Sequence, residues 1–221
     1  NAASPVDGAA IPADEETFVV PYRYGDAGWF DWQPLAPMYP AALWSMSVSH
    51  ADLDRISELR RRSGYDWAAV YPFRSKEDAG HEAPWFEFLA GRNAEYPERA
   101  LRAAMGQVYW HLDRIREDDA DLTKVYIRHW QERNPLTAEA LMQLSLGAPQ
   151  MIYNGGLLVA PIRYFDAERG RPGLPSDVGA LVTQVSDEAI TLTLVNLSVT
   201  AQRSVLIQAG SFGEHSFTTV R

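Results

Sequence analysis

The spacing of apolar residues changes along this chain from a helical repeat to a two-residue alternation. Between residues 97 and 146 apolar side chains recur every three or four positions, whereas segments between residues 180 and 220 alternate apolar and polar side chains. The first pattern predicts helices that bury one face, and the second predicts strands that bury one side. The order of helices first and strands second predicts an α+β fold.

The longest predicted helix begins at Pro97, because proline is favoured in the first turn of a helix. Its apolar stripe is formed by Leu101, Ala104, Met105, Val108, Leu112 and Ile115. A shorter helix is predicted to begin after Ser49, a typical N-cap residue, and to end before Gly64. Both predictions rest on a residue that favours the start of a helix, followed by apolar residues at helical spacing.

Two further helices are predicted on either side of residue 134. The segment 122–131 has a weaker helical pattern, and Asn134 followed by Pro135 has the form of an N-cap and first helical position. The second of these helices should end at Gly147, because glycine accepts the left-handed conformation that closes many helices.

Four segments near the C-terminus predict an antiparallel meander that forms one face of a β-sandwich. They span residues 180–185, 189–197, 204–208 and 215–220, and short polar turns separate them. If the alternation sets the register, one set of side chains should be buried. That set is Leu192, Leu194, Leu206 and Phe217.

The composition indicates three regions. Residues 1–17 are rich in Ala, Pro and Asp and predict a linker or processed end, and residues 18–165 are mainly helical. A charged loop with Gly and Pro then leads to the antiparallel β region, residues 176–221. The chain of 221 residues is long enough for a substantial core.

The charge and cysteine content narrow the possible partners. The formal net charge is −9, so a nucleic-acid partner is not expected, because backbone binding needs clustered Lys and Arg. The chain has no Cys, which excludes disulfides and thiolate chemistry. No apolar stretch is long enough to cross a bilayer, so no membrane partner is expected.

Two short segments concentrate the polar chemistry of the chain. Residues 128–135 contain guanidinium, imidazole and carboxylate groups, and residues 150–156 add an amide and a phenol. The predicted helix from residue 136 to 146 separates them. Such a set could serve an acid/base site on a sugar polymer, and it could equally serve a capped helix junction.

Several segments resemble the C-terminal part of large secreted bacterial proteins grouped with exo-rhamnogalacturonan lyases. These segments are residues 129–141, Tyr153–Asn154–Gly155–Gly156, residues 163–166 and residues 208–215. The resemblance implies an α/α toroid followed by a β-sandwich, a secreted or periplasmic location, and a carbohydrate polymer or oligosaccharide as ligand. The helical region here would hold about half of such a toroid, so a missing N-terminal region or a partner chain is also expected.

The resemblance implies β-elimination on a uronate-containing polymer. That reaction needs a donor that neutralises the carboxylate, a base that takes the C5 proton and an acid that protonates the leaving oxygen. Arg133 or Arg163, with Asn134 or Asn154, suits the first role, His129 the second and Tyr153 the third. His129 is a suitable base because the ordinary pKa of an imidazole lies close to neutral pH.

The predicted substrate contacts surround these three residues. Trp130 and Trp85 would form an aromatic wall, and Asn154 and Arg163 would bind polar groups of the sugar. Each residue also has a structural interpretation. His129 could be a hydrogen-bonded core residue, and Tyr153 with Asn154 could form only a turn.

A glycoside hydrolase and a non-catalytic carbohydrate-binding or packing unit are the alternatives. A hydrolase needs two carboxyl groups flanking the scissile bond. The candidates are Asp31, Glu82, Glu87, Glu132 and Glu139. Glu82 follows His81 and lies near Trp85, and apolar neighbours raise a carboxyl pKa as a general acid requires. Glu139 has the simpler interpretation of an acid in the first turn of a helix.

No cofactor and no metal site are predicted. Calcium remains an option, because two groups of side chains supply oxygen ligands, but neither has the spacing of a known calcium loop. The two groups are His81 with Asp78 and Glu82, and Asp118 with Asp119 and Asp121.

Overall fold

The computed structural model describes residues 19–22, 31–34, 37–62, 66–71, 81–150 and 159–221. The chain divides into two compact units, Asn1–Trp67 and Ala68–Arg221. Each unit has its own helices and strands, and the C-terminal strands share the second unit with four helices. The α+β prediction is confirmed, whereas the toroid and the sandwich remain predictions.

The first unit contains a hairpin and two helices. Strand β1 (Val19–Tyr22) pairs antiparallel with β2 (Asp31–Pro34), and α1 (Met38–Ser47) is followed by α2 (His50–Arg62). The predicted cap of α2 is present, because the Asp52 backbone N–H donates to the Ser49 hydroxyl at 3.2 Å. Ile56 and Leu59 on α2 are buried, as their helical spacing predicts.

The second unit begins with four helices. They are α3 (Glu82–Leu89), α4 (Tyr96–Arg116), α5 (Ile127–Gln131) and α6 (Glu139–Leu146). A buried cluster from α3, α4 and α6 holds them together, and it contains Trp85, Tyr96, Ala100, Ala140 and Leu144. Its small alanines lie on α4 and α6, where they allow the helix backbones to approach closely.

Five strands follow the helices in two separate sheets. They are β3 (Ile162–Asp166), β4 (Arg171–Pro172), β5 (Val178–Val185), β6 (Ile190–Asn196) and β7 (Val205–Ala209). One sheet has the order β4-β3-β7 and the other pairs β5 with β6, all antiparallel. A second buried cluster of Ile162, Tyr164 and Val182 draws on both sheets.

Gly147 marks the junction between α6 and the strands. It ends α6 in the left-handed region, with φ of 69°, as the sequence predicts. A Cβ atom at this position would lie 3.3 Å from the Val182 side chain of β5. The Tyr164 hydroxyl of β3 also donates to the Ser145 carbonyl at 2.8 Å, so α6 is tied to both sheets.

The predicted core face of α4 is wrong, although the helix itself is confirmed. The residues of α4 that are buried are Tyr96, Ala100, Gln107 and His111. Leu101, Met105 and Ile115 of the predicted stripe are exposed. Ala104 of the stripe does pack on the core cluster, and Val108 and Leu112 are half-buried. The fully buried positions of α4 are thus mainly small or hydrogen-bonding residues, and three large apolar residues of the stripe lie outside.

The predicted start of α6 is also wrong. The helix begins at Glu139, and Asn134 lies five residues earlier. The Asn134 side-chain oxygen instead accepts the Leu136 backbone N–H at 3.0 Å, which is a local turn. Asparagine side chains satisfy backbone donors in turns and at caps alike, so the two signals cannot be separated by sequence.

The predicted single meander is wrong in two respects. Strand β7 pairs with β3, with Leu206 opposite Phe165, and residues 210–221 contain no strand. Leu194, Leu206 and Phe217 are exposed, and Leu192 is half-buried against the second cluster. In β7 it is Val205 and Ile207 that pack on this cluster, so the buried side is the opposite one to that predicted.

Candidate functional site

His129 and Arg133 lie together at the end of α5, as the sequence predicts. Both contact the carboxylate of Asp118, which follows α4: His129 Nε2 lies 2.9 Å and Arg133 Nε 2.8 Å from Asp118 Oδ2. Arg133 Nη1 also donates to the His129 carbonyl at 3.2 Å. These three side chains are largely buried, so the candidate base and the candidate cation are both held by an acidic partner of this same chain.

The pKa of Asp118 is lowered from its ordinary value. Burial alone would raise this pKa, but the Ala120 N–H bond and the positive charges of Arg133 and His129 outweigh burial. Asp118 is therefore a carboxylate at neutral pH, and it holds the His129 and Arg133 side chains together.

A second set of ion pairs surrounds Glu132, the residue after α5. Arg114 of α4 lies 2.9 Å from one carboxylate oxygen, and Arg128 lies 2.8 Å from the other. The Glu132 carbonyl is 2.8 Å from Nδ1 of buried His111. These contacts bind α5 to α4, and they give Glu132, a hydrolase candidate, a structural role.

The remaining predicted site residues that the structure describes, Trp130, Trp85 and Arg163, lie in three different environments. Trp130 packs edge-on against His129, with ring centroids 5.3 Å apart, and is 52% exposed. Trp85 is 1% exposed in the helical core, so no sugar ring can stack on it in this conformation. Arg163 of β3 donates to the Ser211 carbonyl at 3.0 Å. Tyr153 and Asn154 lie outside the described residues, so the three catalytic roles stay predictions.

A pocket lies instead beside His81, the residue that precedes α3. The space between its atoms is about 220 Å³ and includes open solvent, whereas the part that a water-sized sphere can enter is about 10 Å³, close to what one water molecule needs. Its polar lining comes from Tyr71, His81, Gln107, Thr137, Glu139 and Gln150, and its apolar lining comes from alanines of α4 and α6. This lining combines apolar walls with convergent polar groups, as ligand sites do, but the cleft is smaller than the usual ligand pocket of about 300–1,000 Å³.

The imidazole of His81 has one nitrogen engaged and one without a hydrogen-bond partner among the described residues. Nε2 lies 2.7 Å from the Tyr71 carbonyl oxygen and 3.1 Å from the Tyr71 backbone nitrogen. Nδ1 is buried and unpartnered. The shorter contact favours a proton on Nε2, which leaves the lone pair on Nδ1.

Burial lowers the pKa of His81 below its ordinary value of 6.5, and the bond to Tyr71 opposes this only in part. The desolvated environment disfavours the imidazolium form, so His81 is neutral at physiological pH. A neutral imidazole with a free lone pair is the form in which histidine accepts a proton.

A buried network fixes the position of His81. The side chain of Gln150 accepts the His81 backbone N–H at 2.9 Å, and the Gln150 backbone N–H donates to Glu82 at 2.6 Å. Gln150 also donates to Gln143 at 3.1 Å, and the Tyr96 hydroxyl donates to the same amide oxygen. Burial, and then the negative charge of Glu82, raises the pKa of Tyr96 well above its ordinary value, so the phenol stays protonated.

Glu139 provides the carboxylate of the pocket. It lies in the first turn of α6, and Thr137 donates to its Oε2 at 3.1 Å. Within the part of the chain that the structure describes, no group of three or more His, Cys, Asp or Glu is arranged to hold a metal ion. Over the same residues, no helix is both long and apolar enough to span a membrane.

The sequence named His81, Glu82 and Glu139 as candidates but did not bring them into one site. Tyr71, Gln107, Thr137 and Gln150 were missed. One signal was present: Gln107 and His111 are polar residues four apart on the side of α4 that carries Ala100 and Ala104. Polar side chains on a buried face need hydrogen-bond partners, so such positions are candidates for a site.

Residues 5–142 match a protein family described as a domain of unknown function, DUF8034. This match covers more than half of the chain. The chain belongs to the DUF8034 family. The matched range includes His81, His129 and Glu139, whereas β3–β7 lie beyond it. No curated protein and no solved structure matches the chain.

Proposed function

We propose that this member of the DUF8034 family contributes an acid/base site to an enzyme that cleaves a uronate-containing polysaccharide by β-elimination. The observation that carries the proposal is the neutral His81 imidazole, which has an unpartnered Nδ1 and lines a polar pocket. A titratable group with a perturbed pKa in a pocket is a candidate for acid/base chemistry.

In the proposed reaction the cleft widens to admit the sugar ring, because Nδ1 is buried in the present structure, and His81 then takes the proton from C5 of the uronate. The electron pair of that C–H bond forms the C4=C5 double bond, and the C4–O bond breaks as the leaving oxygen gains a proton. The base must be neutral before the reaction, which agrees with the lowered pKa of His81. Gln107, which lines the pocket, is suited to donate to the uronate carboxylate, and the carboxyl group of Glu139 is suited to pass a proton to the leaving oxygen.

The lining of the pocket favours elimination over hydrolysis. Hydrolysis by either stereochemical route uses two carboxyl groups, one on each side of the scissile bond. Among the described residues that line the pocket, Glu139 is the one carboxylate, and the other titratable groups are the His81 imidazole and the Tyr71 phenol. An imidazole base with a single carboxyl group fits proton abstraction followed by loss of the leaving group.

The roles first predicted for His129, Arg133 and Tyr153 form a rival site for the same reaction. In favour of it, His129 is oriented by Asp118 and adjoins the exposed ring of Trp130, which is a suitable surface for a sugar. Against it, Arg133 is already paired with Asp118, so its charge is offset before any substrate arrives. We therefore place the reaction at His81 and assign the Asp118 cluster a structural role.

The wider context is also part of the proposal. The substrate class rests on the family resemblance. The same resemblance agrees with a toroid-and-sandwich enzyme, a secreted or periplasmic location, and a further helical region or partner chain. A non-catalytic carbohydrate-binding unit is the second candidate, and the exposed Trp130 is the observation that favours it.

The test is an assay for the unsaturated product, whose conjugated double bond absorbs in the ultraviolet. The chain is incubated with polygalacturonate and with rhamnogalacturonan. We expect His81→Gln to abolish product formation, whereas His129→Gln and the exposed His215→Gln should keep it. Loss of activity in His129→Gln alone would move the reaction to the Asp118 cluster. Polymer binding without product in the unaltered chain would favour the binding unit.

A further inference from the structure

The outward side of α4 carries a regular stripe of exposed residues. They follow one another at spacings of three or four, which places them on one side of the helix. We call this stripe the α4 outer face, and it consists of Glu98, Arg102, Met105, Tyr109, Asp113 and Arg116. Met105 is 55% exposed and Tyr109 is 60% exposed, so two large apolar side chains stand in its centre.

Gly106 lies beside the two apolar residues, at the midpoint of α4. A glycine weakens the interior of a helix relative to alanine. A Cβ atom built at Gly106 would meet nothing within 4 Å among the described residues. The packing of the described residues therefore gives no reason for the glycine, whereas the close approach of another backbone to this side of α4 would give one.

The charges on the α4 outer face follow an order that complements its own reverse. Along the chain the face is negative, positive, apolar, apolar, negative, positive. Read backwards, it is positive, negative, apolar, apolar, positive, negative. In antiparallel alignment Glu98 meets Arg116 of a second copy, Arg102 meets Asp113, and Met105 meets Tyr109. Parallel alignment would instead place like charges together.

We propose that the α4 outer face binds the same face of a second copy of this chain in an antiparallel helix pair. Two ion pairs already exist on each helix, Glu98 with Arg102 at 2.6 Å and Asp113 with Arg116 at 2.9 Å. At each end of the helix pair, the Glu98–Arg102 ion pair of one copy lies against the Asp113–Arg116 ion pair of the other copy. The four charges alternate in sign and form a cluster. The apolar centre is covered, as expected of an isologous two-fold interface.

Charge order selects this partner over an unrelated helix. An unrelated apolar helix would cover Met105 and Tyr109 equally well, but it would have no reason to match all four charges. The α4 outer face is about 30 Å long at 1.5 Å per residue. A contact along one helix of this length is small, so the pair should dissociate on dilution. This proposal does not depend on the proposed function, because none of the α4 outer face residues lines the His81 pocket.

Two variants of a single charge sign test whether opposite charges on the α4 outer face hold two copies together. One carries Glu98→Lys with Asp113→Lys, and the other carries Arg102→Glu with Arg116→Glu. Sedimentation velocity should show dimer formation by the unaltered chain as concentration rises, monomers for each variant alone, and a heterodimer when the two variants are mixed. A monomeric unaltered chain, dimers of either variant alone, or no heterodimer in the mixture would overturn the proposal.

Two substitutions at Gly106 separate association from folding. Because a Cβ finds open space there, both Gly106→Ala and Gly106→Trp should fold, with unchanged circular dichroism. The alanine variant should dimerise more weakly, because its methyl group stands where the partner backbone approaches, and the indole of the tryptophan variant should hold the helices apart. A folded Gly106→Trp variant that dimerises as the unaltered chain does would contradict the close contact of two α4 helices.

Discussion

The His81 imidazole binds the backbone of Tyr71 through Nε2, at 2.7 Å from the carbonyl oxygen, and leaves Nδ1 buried without a hydrogen bond among the described residues. One side of the ring thus fixes its orientation, and the other side is buried without a hydrogen-bond partner among the described residues. This division of roles within one imidazole is common in sites where a second contact sets the tautomer of a histidine.

The buried His81 should make stability depend on pH. Its pKa in the folded chain is below 6.5, because burial disfavours the imidazolium. The unfolded chain therefore takes up this proton first as pH falls, so the free energy of unfolding should decline from about pH 6.5 down to the folded pKa. Urea unfolding at a series of pH values measures this decline. His81→Gln should remove it, and His215→Gln should not.

Glu82 should stabilise the fold through the Gln150 backbone N–H, which it accepts at 2.6 Å in a fully buried site. Glu82→Ala leaves this donor without its partner and should cost about 1–3 kcal/mol of unfolding free energy. Glu82→Gln keeps an oxygen acceptor and should cost less. Urea unfolding compares both variants with the exposed Glu188→Ala, for which a change within about 0.5 kcal/mol is expected. Equal losses for alanine and glutamine would contradict this role.

Alanine at two glycines should have opposite effects on stability. Gly147 has φ of 69°, and its Cβ would press on Val182, so Gly147→Ala should destabilise by more than about 1 kcal/mol. Gly106 is helical with open space around it, so Gly106→Ala should stabilise the monomer by up to about 1 kcal/mol. Thermal unfolding at low protein concentration measures both. Gly170→Ala, with positive φ and open space, isolates the cost of the backbone.

Asp118 should stabilise the fold by holding His129 and Arg133. Its pKa is lowered from 3.8, so its contribution is present above that pH and is lost as pH falls through the folded pKa. Asp118→Asn should therefore unfold at a lower urea concentration than the unaltered chain at pH 7, and the difference should shrink in acid. Asp119→Asn, at the exposed neighbour, should match the unaltered chain. Under the proposed function, Asp118→Asn keeps its activity while folded.

The positions of elements were more predictable than their orientations. Ser49 and Pro97 marked the starts of α2 and α4 well, because caps and prolines act locally. The side of α4 that faces the core was not predictable from apolar content. Ala100 and the hydrogen-bonding residues Gln107 and His111 face inward, and this choice depends on what α3, α5 and α6 present.

The site was predictable only where its residues are neighbours in sequence. His129 and Arg133 are four apart near one short helix, so their proximity follows from helical spacing. His81 and Gln150 are 69 positions apart, and only tertiary packing brings them together. The predicted pairing of β7 was wrong for the same reason. Its partner β3 lies about 40 residues earlier, and no local pattern specifies that pairing.

The pH dependence of polysaccharide cleavage by the unaltered chain and by His81→Gln tests the central claim most directly. If neutral His81 takes the C5 proton, kcat/KM should rise with pH along a limb whose midpoint lies below 6.5, because the base must be deprotonated and burial lowers its pKa. His81→Gln, confirmed as folded by circular dichroism, should lose both the activity and that limb. Product formation by folded His81→Gln with an unchanged pH profile would contradict the assignment of His81 as the base.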